Sequence, residues 1–142
     1  MEREPASEAE GFREIYLLLA ELHVAALRLP DVEPEDDVPE LEVDRSAICM
    51  ARITGLLGTY YSDFFEPLAD PPGDPVGNSL ADDLGDIYRN VKEGLLLWNL
   101  GHWREAGWHW RMLYDTHWGE HLVGALRACY WIVRIDPSLA SG

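Results

Sequence analysis

Positive charge is what this sequence has least of. Lys92 is its single lysine, and 11 Lys and Arg together face 26 Asp and Glu, for a formal charge of -15 over 142 residues. Contacts to phosphate and the accompanying release of counterions require clustered Lys and Arg, so direct nucleic-acid binding is excluded and anionic membranes are disfavoured. Cysteine is nearly as scarce. Cys49 and Cys129 each stand among apolar neighbours at helical spacing, the setting of small core residues rather than of a redox or metal pair. No apolar run reaches the roughly 18 residues of a membrane span, and the opening Met1-Glu2-Arg3-Glu4-Pro5 lacks the basic start and apolar stretch of a signal peptide. A cytoplasmic location is the expectation. Also missing are a phosphate-binding G-x-x-x-x-G-K loop, G-x-G-x-x-G, C-x-x-C and a G-x-S-x-G elbow, so no common phosphate, dinucleotide, thiol or serine chemistry is spelled out.

What is present is apolar and aromatic. A hydrophobic content of 47%, with 11% aromatic, is too high for a disordered chain even at this charge, and the length suits one domain with one core. The charge must therefore sit outside. Residues 1–44 carry 14 acids against three arginines, whereas residues 102–142 carry four of each sign. All six tryptophans and four of the five histidines fall between Trp98 and Trp131, which locates the core and any site in the C-terminal part.

The apolar periodicity is helical throughout. Phe12, Ile15, Leu19, Leu22, Ala26 and Leu29 recur at three-and-four spacing and predict a first helix over 8–29. Residues 30–44 hold eight acids, no base and three prolines and are expected to be a loop kept soluble by its charges, the alternative being a docking segment for a basic partner. Cys49, Ile53, Leu56, Leu57, Tyr60 and Phe64 predict a second helix from Arg45 to Glu66. Four prolines and two glycines make 67–78 a loop. Ser79, followed by Asp82 and Asp83, marks the N-cap and first turn of a third helix carrying Leu80, Leu84, Ile87, Tyr88, Val91, Leu95 and Trp98 on one face. Gly101 ends it, and Trp103, Ala106, Trp110, Leu113, Tyr114 and His117 begin a fourth that folds back as an antiparallel hairpin. The stripe changes direction around Asp115–Gly119, predicting a corner and a fifth helix with Leu122, Ala125, Leu126, Cys129 and Val133. Residues 136–142 are expected to fray. The expectation is one all-α domain, a compact bundle of about five helices. Gly94, Trp98, Gly101, Trp103, Ala106 and Trp110 give its C-terminal hairpin the small and aromatic positions of a tetratricopeptide pair, present in one copy only.

Ser79-Leu80-Ala81-Asp82-Asp83-Leu84 with Asp86-Ile87-Tyr88-Arg89, Trp108-His109-Trp110-Arg111, His117-Trp118-Gly119 and Ala125-Leu126-Arg127-Ala128 together resemble a bacterial family known as domain of unknown function 5063. The resemblance implies an all-helical bacterial domain and carries no chemistry with it.

Three constellations bear on function. His117-Trp118-Gly119-Glu120-His121 fits the H-x-x-E-H pattern, in which two histidines one helical turn apart share a zinc ion and the glutamate serves as general base. Such a site needs a third protein ligand, and no Glu follows His121. Asp86 or Glu93 from the third helix would have to supply it. The preferred reading is helix-terminal packing, in which His117 and His121 hydrogen-bond to neighbouring carboxylates or backbone carbonyls and Trp118 plugs the corner, with no metal or other cofactor. Second, Asp82, Asp83, Asp86 and Glu93 include a strip of Asp83, Asp86 and Asn90 on one helical face, either a hard-cation site or the polar side of an amphipathic helix with Arg89 and Arg111 as pairing partners. Third, Trp108 lies opposite Trp103 and Tyr114, so Trp108, Arg111 and Met112 are candidates for a partner surface or a self-association surface. A pocket lined by Trp98, Trp110 and Tyr114 predicts the same spacing as plain core packing. The leading expectation is a protein-interaction or adaptor module. The alternative is a small metal-dependent hydrolase using His117, Glu120 and His121 with Asp86.

Overall fold

The computed structural model describes residues 8–41 and 58–140. It is mostly helical, with one short β-hairpin: α1 (Glu8–Leu27), β1 (Tyr60–Asp63), β2 (Val76–Ser79), α2 (Leu80–Asn99), α3 (Trp103–Leu113) and α4 (Gly119–Tyr130). Two π-helical segments, Tyr114–Trp118 and Trp131–Ile135, follow α3 and α4, and a 3₁₀ turn spans Pro137–Ala140. No helix among these residues is long and apolar enough to cross a membrane.

Helix α1 buries the stripe its spacing announces. Phe12, Leu19 and Ala26 are buried, with Ile15 and Leu22 partly so, and they pack against α4. The chain then runs irregularly through residues 30–41, but it is not wholly solvated. Glu35 docks on the start of α3, where its Oε2 accepts the Glu105 N–H at 2.7 Å while its own N–H donates to Glu105 Oε2 at 2.7 Å. His102, the N-cap of α3, supplies no side-chain cap, so a carboxylate from 67 residues away caps the helix instead.

The expected second helix is corrected where it can be seen. Residues 45–57 lie outside the described residues, but from Tyr60 the chain is a strand, with Tyr60 and Phe64 exposed. Apolar spacing alone read Tyr60 and Phe64 as a continued helical stripe. The local sequence Thr59-Tyr60-Tyr61, β-branched and aromatic after Gly58, instead favours extended backbone. Strand β1 pairs antiparallel with β2 in the register Tyr60↔Ser79, Tyr61↔Asn78, Ser62↔Gly77 and Asp63↔Val76. Its alternation turns Tyr61 and Asp63 inward.

Ser79 closes β2 and opens α2, its Oγ accepting the Asp82 N–H at 3.3 Å. Helix α2 ends before Gly101, at φ 91°, and α3 returns along it. The corner expected at 115–119 does not form. Backbone dihedrals remain right-handed helical from α3 through the π-turn into α4, so the predicted fourth and fifth helices run on without a break. Ala106, Trp110, Tyr114, Trp118 and Leu122 turn toward the interior at steps of four, each of which drifts by about 40° on a helix of 3.6 residues per turn. A wide π-turn gives part of that drift back. Gly119 makes it possible, because a Cβ there would collide with the Tyr114 carbonyl that accepts the Gly119 N–H.

The core forms where α1, α2 and α4 meet, around Phe12, Leu80, Ile87, Trp118, Leu122 and Cys129. Trp118 is fully buried with its indole N–H on the Trp110 carbonyl at 3.0 Å, so its polar atom is satisfied inside. Each such large side chain stabilises the fold by roughly 1.5–3 kcal/mol through removal of apolar surface from water.

Candidate metal centre

Asp83, Asp86 and Asn90 stand three and four residues apart on α2, a polar strip that solvent would normally face. Here it faces α4. Asp83 and Asn90 are each only 2% exposed, and a buried carboxylate or amide is tolerable only if its oxygens find donors. The donors come from the opposite helix. His117 lies in the π-turn and His121 in the first turn of α4, with their rings edge to face at 4.9 Å between centroids.

Each imidazole is held through Nδ1. His117 Nδ1 donates to Asn90 Oδ1 at 2.6 Å, and His121 Nδ1 donates to Asp83 Oδ1 at 2.7 Å. A neutral imidazole with its proton fixed on Nδ1 presents a lone pair at Nε2. His121 Nε2 is 3.4 Å from Asp86 Oδ2, and ligand atoms of Asp86, His117 and His121 all lie within 4.8 Å of one another. First-row ions bind such donors at about 2.0–2.2 Å, so donors sharing one ion lie roughly 3–4 Å apart. The His121–Asp86 contact at 3.4 Å already has that spacing, and 4.8 Å bounds the whole set. The hydrogen bond with Asp83 raises the His121 imidazole above its ordinary value against the lowering effect of burial, and the charges of Asp86 and Glu120 act the same way. These surroundings favour a cation at Nε2, whether a proton or a metal ion.

Behind the two histidines is an outer layer. The second oxygen of Asp83 accepts the Tyr61 hydroxyl of β1. Burial, and then Asp83 itself, keeps the Tyr61 phenol well above its ordinary range, so it remains a donor. Cys129 is buried in the same core, its thiol pushed up to about 12 by burial.

The structure sorts the residues singled out by sequence. It brings His117, His121 and Asp86 together. Glu120 is exposed and outside that set, and Asp82 is also exposed. Glu93 is engaged elsewhere, 3.4 Å from Arg89 Nε and 3.3 Å from His109 Nε2; the His109 contact lacks hydrogen-bond geometry, and burial lowers that imidazole. Arg111 does not pair with the α2 acids; it donates to the Leu29 carbonyl at 2.8 Å and ties the end of α1 to α3. Trp108, Arg111 and Met112 are all half-buried, while Trp98 and Trp103 at the hairpin end are exposed. Trp110 lines an apolar cavity of about 210 Å³ with Leu22, Ala26, Leu29, Val91 and Trp118, while Trp98 stacks on its outer side at 6.2 Å. Sequence reasoning missed Tyr61, because it read that residue as part of a helix. It offered neighbouring carboxylates as acceptors for His117 and His121 without naming Asp83, and did not foresee Asn90 as the acceptor for His117.

A family model described as Domain of unknown function (DUF5063) matches residues 1–134. No curated protein and no solved structure matches the chain.

Proposed function

The chain belongs to the family described as Domain of unknown function (DUF5063), and we propose that it is a divalent-metal protein whose open three-ligand centre activates water for hydrolysis. The observation that supports this is the pair of Nδ1 contacts. With His117 on Asn90 and His121 on Asp83, His121 Nε2 stands beside Asp86 and His117 joins the same cluster, in the manner of metal-ligating histidines whose tautomer an outer acceptor fixes. Two imidazoles and one carboxylate suit zinc or another first-row ion, and three protein ligands leave a coordination position for water. A metal-bound water loses its proton near neutral pH and becomes a competent nucleophile. Glu120, exposed and with a charge that acts on His121, is assigned the proton transfer in this reading.

The competing account is purely structural, an imidazolium of His121 shared between Asp83 and Asp86. In it the Nδ1 contact of His117 serves only to satisfy the buried Asn90 amide. Metal analysis decides between them. Protein made without a histidine tag and purified without chelator should hold about one equivalent of zinc or a similar ion, and the His117→Ala, His121→Ala double variant should hold none. No metal in either sinks the proposal.

A second reading rests on the hairpin end, where Trp98, Leu100 and Trp103 are 47%, 59% and 62% exposed and the two indoles lie 6.1 Å apart. It is an adaptor with a tetratricopeptide-like hairpin that uses these exposed rings, while the half-buried Trp108, Arg111 and Met112 lie on another face of α3. Sedimentation and pull-down with Trp98→Ala, Trp103→Ala test it, with self-association or capture expected in the parent and lost in the variant.

A further inference from the structure

The imidazole of His121 is not oriented by α2 and α4 alone. Its acceptor, Asp83, has two oxygens, one taken by His121 Nδ1 and the other by the hydroxyl of Tyr61, which arrives from strand β1. Reaching Asp83 requires Tyr61 to pass α4 closely. It does so at Gly124, where a Cβ would collide with the Tyr61 hydroxyl and stand 3.3 Å from Asp63 Oδ2. Both inward residues of β1 thus lie against Gly124, a position of α4 that has no side chain. Two independent features, the gap at Gly124 and the pairing that turns Tyr61 inward, direct one hydroxyl onto the carboxylate behind a proposed ligand.

We infer that Tyr61 is a positioning residue of the metal centre: by fixing the Asp83 carboxylate it holds His121 Nε2 toward the ion, so that docking of the β-hairpin and occupancy of the centre are coupled. This rests on the metal reading above. Without its second donor, Asp83 is free to rotate about its side chain, and the imidazole loses a fixed orientation. Outer partners of this kind change metal affinity by about 10–100-fold. The coupling is reciprocal, so the ion that gains from the hairpin also holds the hairpin down.

Zinc affinity of the full chain, measured by competition with a chromogenic chelator, tests this in the parent, Tyr61→Phe, Asp83→Ala, the double variant and Gly124→Ala, with circular dichroism to confirm folding. Tyr61→Phe should bind zinc about tenfold or more weakly with its helical signal intact. In the Asp83→Ala background the same change should do nothing further, because the route through Asp83 is gone, whereas a general loss of packing would weaken both backgrounds alike. Gly124→Ala should reproduce the Tyr61→Phe effect without removing any hydrogen-bonding group. Parent affinity in folded Tyr61→Phe, or an equal loss in both backgrounds, overturns the inference and leaves the metal reading standing. Failure of the parent to bind zinc removes the metal reading itself. Should Tyr61→Phe not fold, parent affinity in Gly124→Ala is the overturning result.

Discussion

The indole of Trp110 occupies the space that Gly94 leaves on α2. A Cβ at Gly94 would collide with the indole nitrogen, which donates to the Val91 carbonyl at 2.9 Å. Helix propensity alone would favour alanine at Gly94 by about 1 kcal/mol. Overpacking a filled contact costs about 1–3 kcal/mol, and displacing the indole also loses its hydrogen bond. Gly94→Ala should therefore lower stability in urea unfolding by about 1–3 kcal/mol. Gly107 on α3 supplies the contrast, since a Cβ there would meet only Val32 Cγ2 at an ordinary 3.5 Å. Gly107→Ala should be stabilising by about 0.4–1 kcal/mol.

Replacing each acid near the centre should separate ligand from neighbour. Asp86→Ala removes one of the three converging groups and is expected to weaken zinc binding by well over about tenfold, more than the loss of an outer partner. Glu120→Gln leaves all three in place. It should keep the metal stoichiometry of the parent while lowering any hydrolytic turnover. Equilibrium dialysis of the two variants against zinc reads both outcomes.

Glu35 provides a pH signature away from the metal centre. The Glu105 N–H, followed by His102 and Arg104, holds its carboxyl below the ordinary value of 4.5. A depressed carboxyl contributes stability that is present above its unfolded value and is lost as pH falls through the folded one. Parent protein should melt above Glu35→Gln at pH 6, and the difference in Tm should shrink as pH falls below 4.5. A gap that stays constant from pH 6 to pH 3 would show that the charge on Glu35 has no part in the cap.

Cys129 should be inert while the fold is intact. Its thiol is fully buried and pushed up to about 12, so at pH 8 it offers neither access nor thiolate. Peptide-resolved alkylation with iodoacetamide should leave Cys129 unmodified in buffer and modify it in denaturing urea.

Much of the helical frame was legible because it follows from local rules. The spacing of Phe12, Leu19 and Ala26 gave α1 its buried face, Ser79 gave α2 its cap, and Gly101 gave the turn into α3. The strand at Tyr60 was not legible, since an apolar residue every three or four positions describes a helix as readily as a short inward-outward alternation. Nor was the continuity at 114–118. A change in stripe direction looks like a corner in sequence, and only the packing of Trp110, Tyr114 and Trp118 along one core turns it into a wide turn within a continuing helix.

The centre divides in the same way. Sequence by itself determined that Asp83, Asp86 and Asn90 share one helical face, because that follows from helical periodicity, whereas it set a corner between His117 and His121 where the structure has one continuous helical face. Only the tertiary structure decided that the two faces meet. That depends on how far α4 runs before it passes α2, which the π-turn and the hairpin at Gly101 set together. The same antiparallel meeting sends Glu93 to His109, gives Asp86 to the two histidines and lets Tyr61 reach Asp83 across Gly124. Donor atoms converge through distances between elements, and no spacing along a chain encodes those.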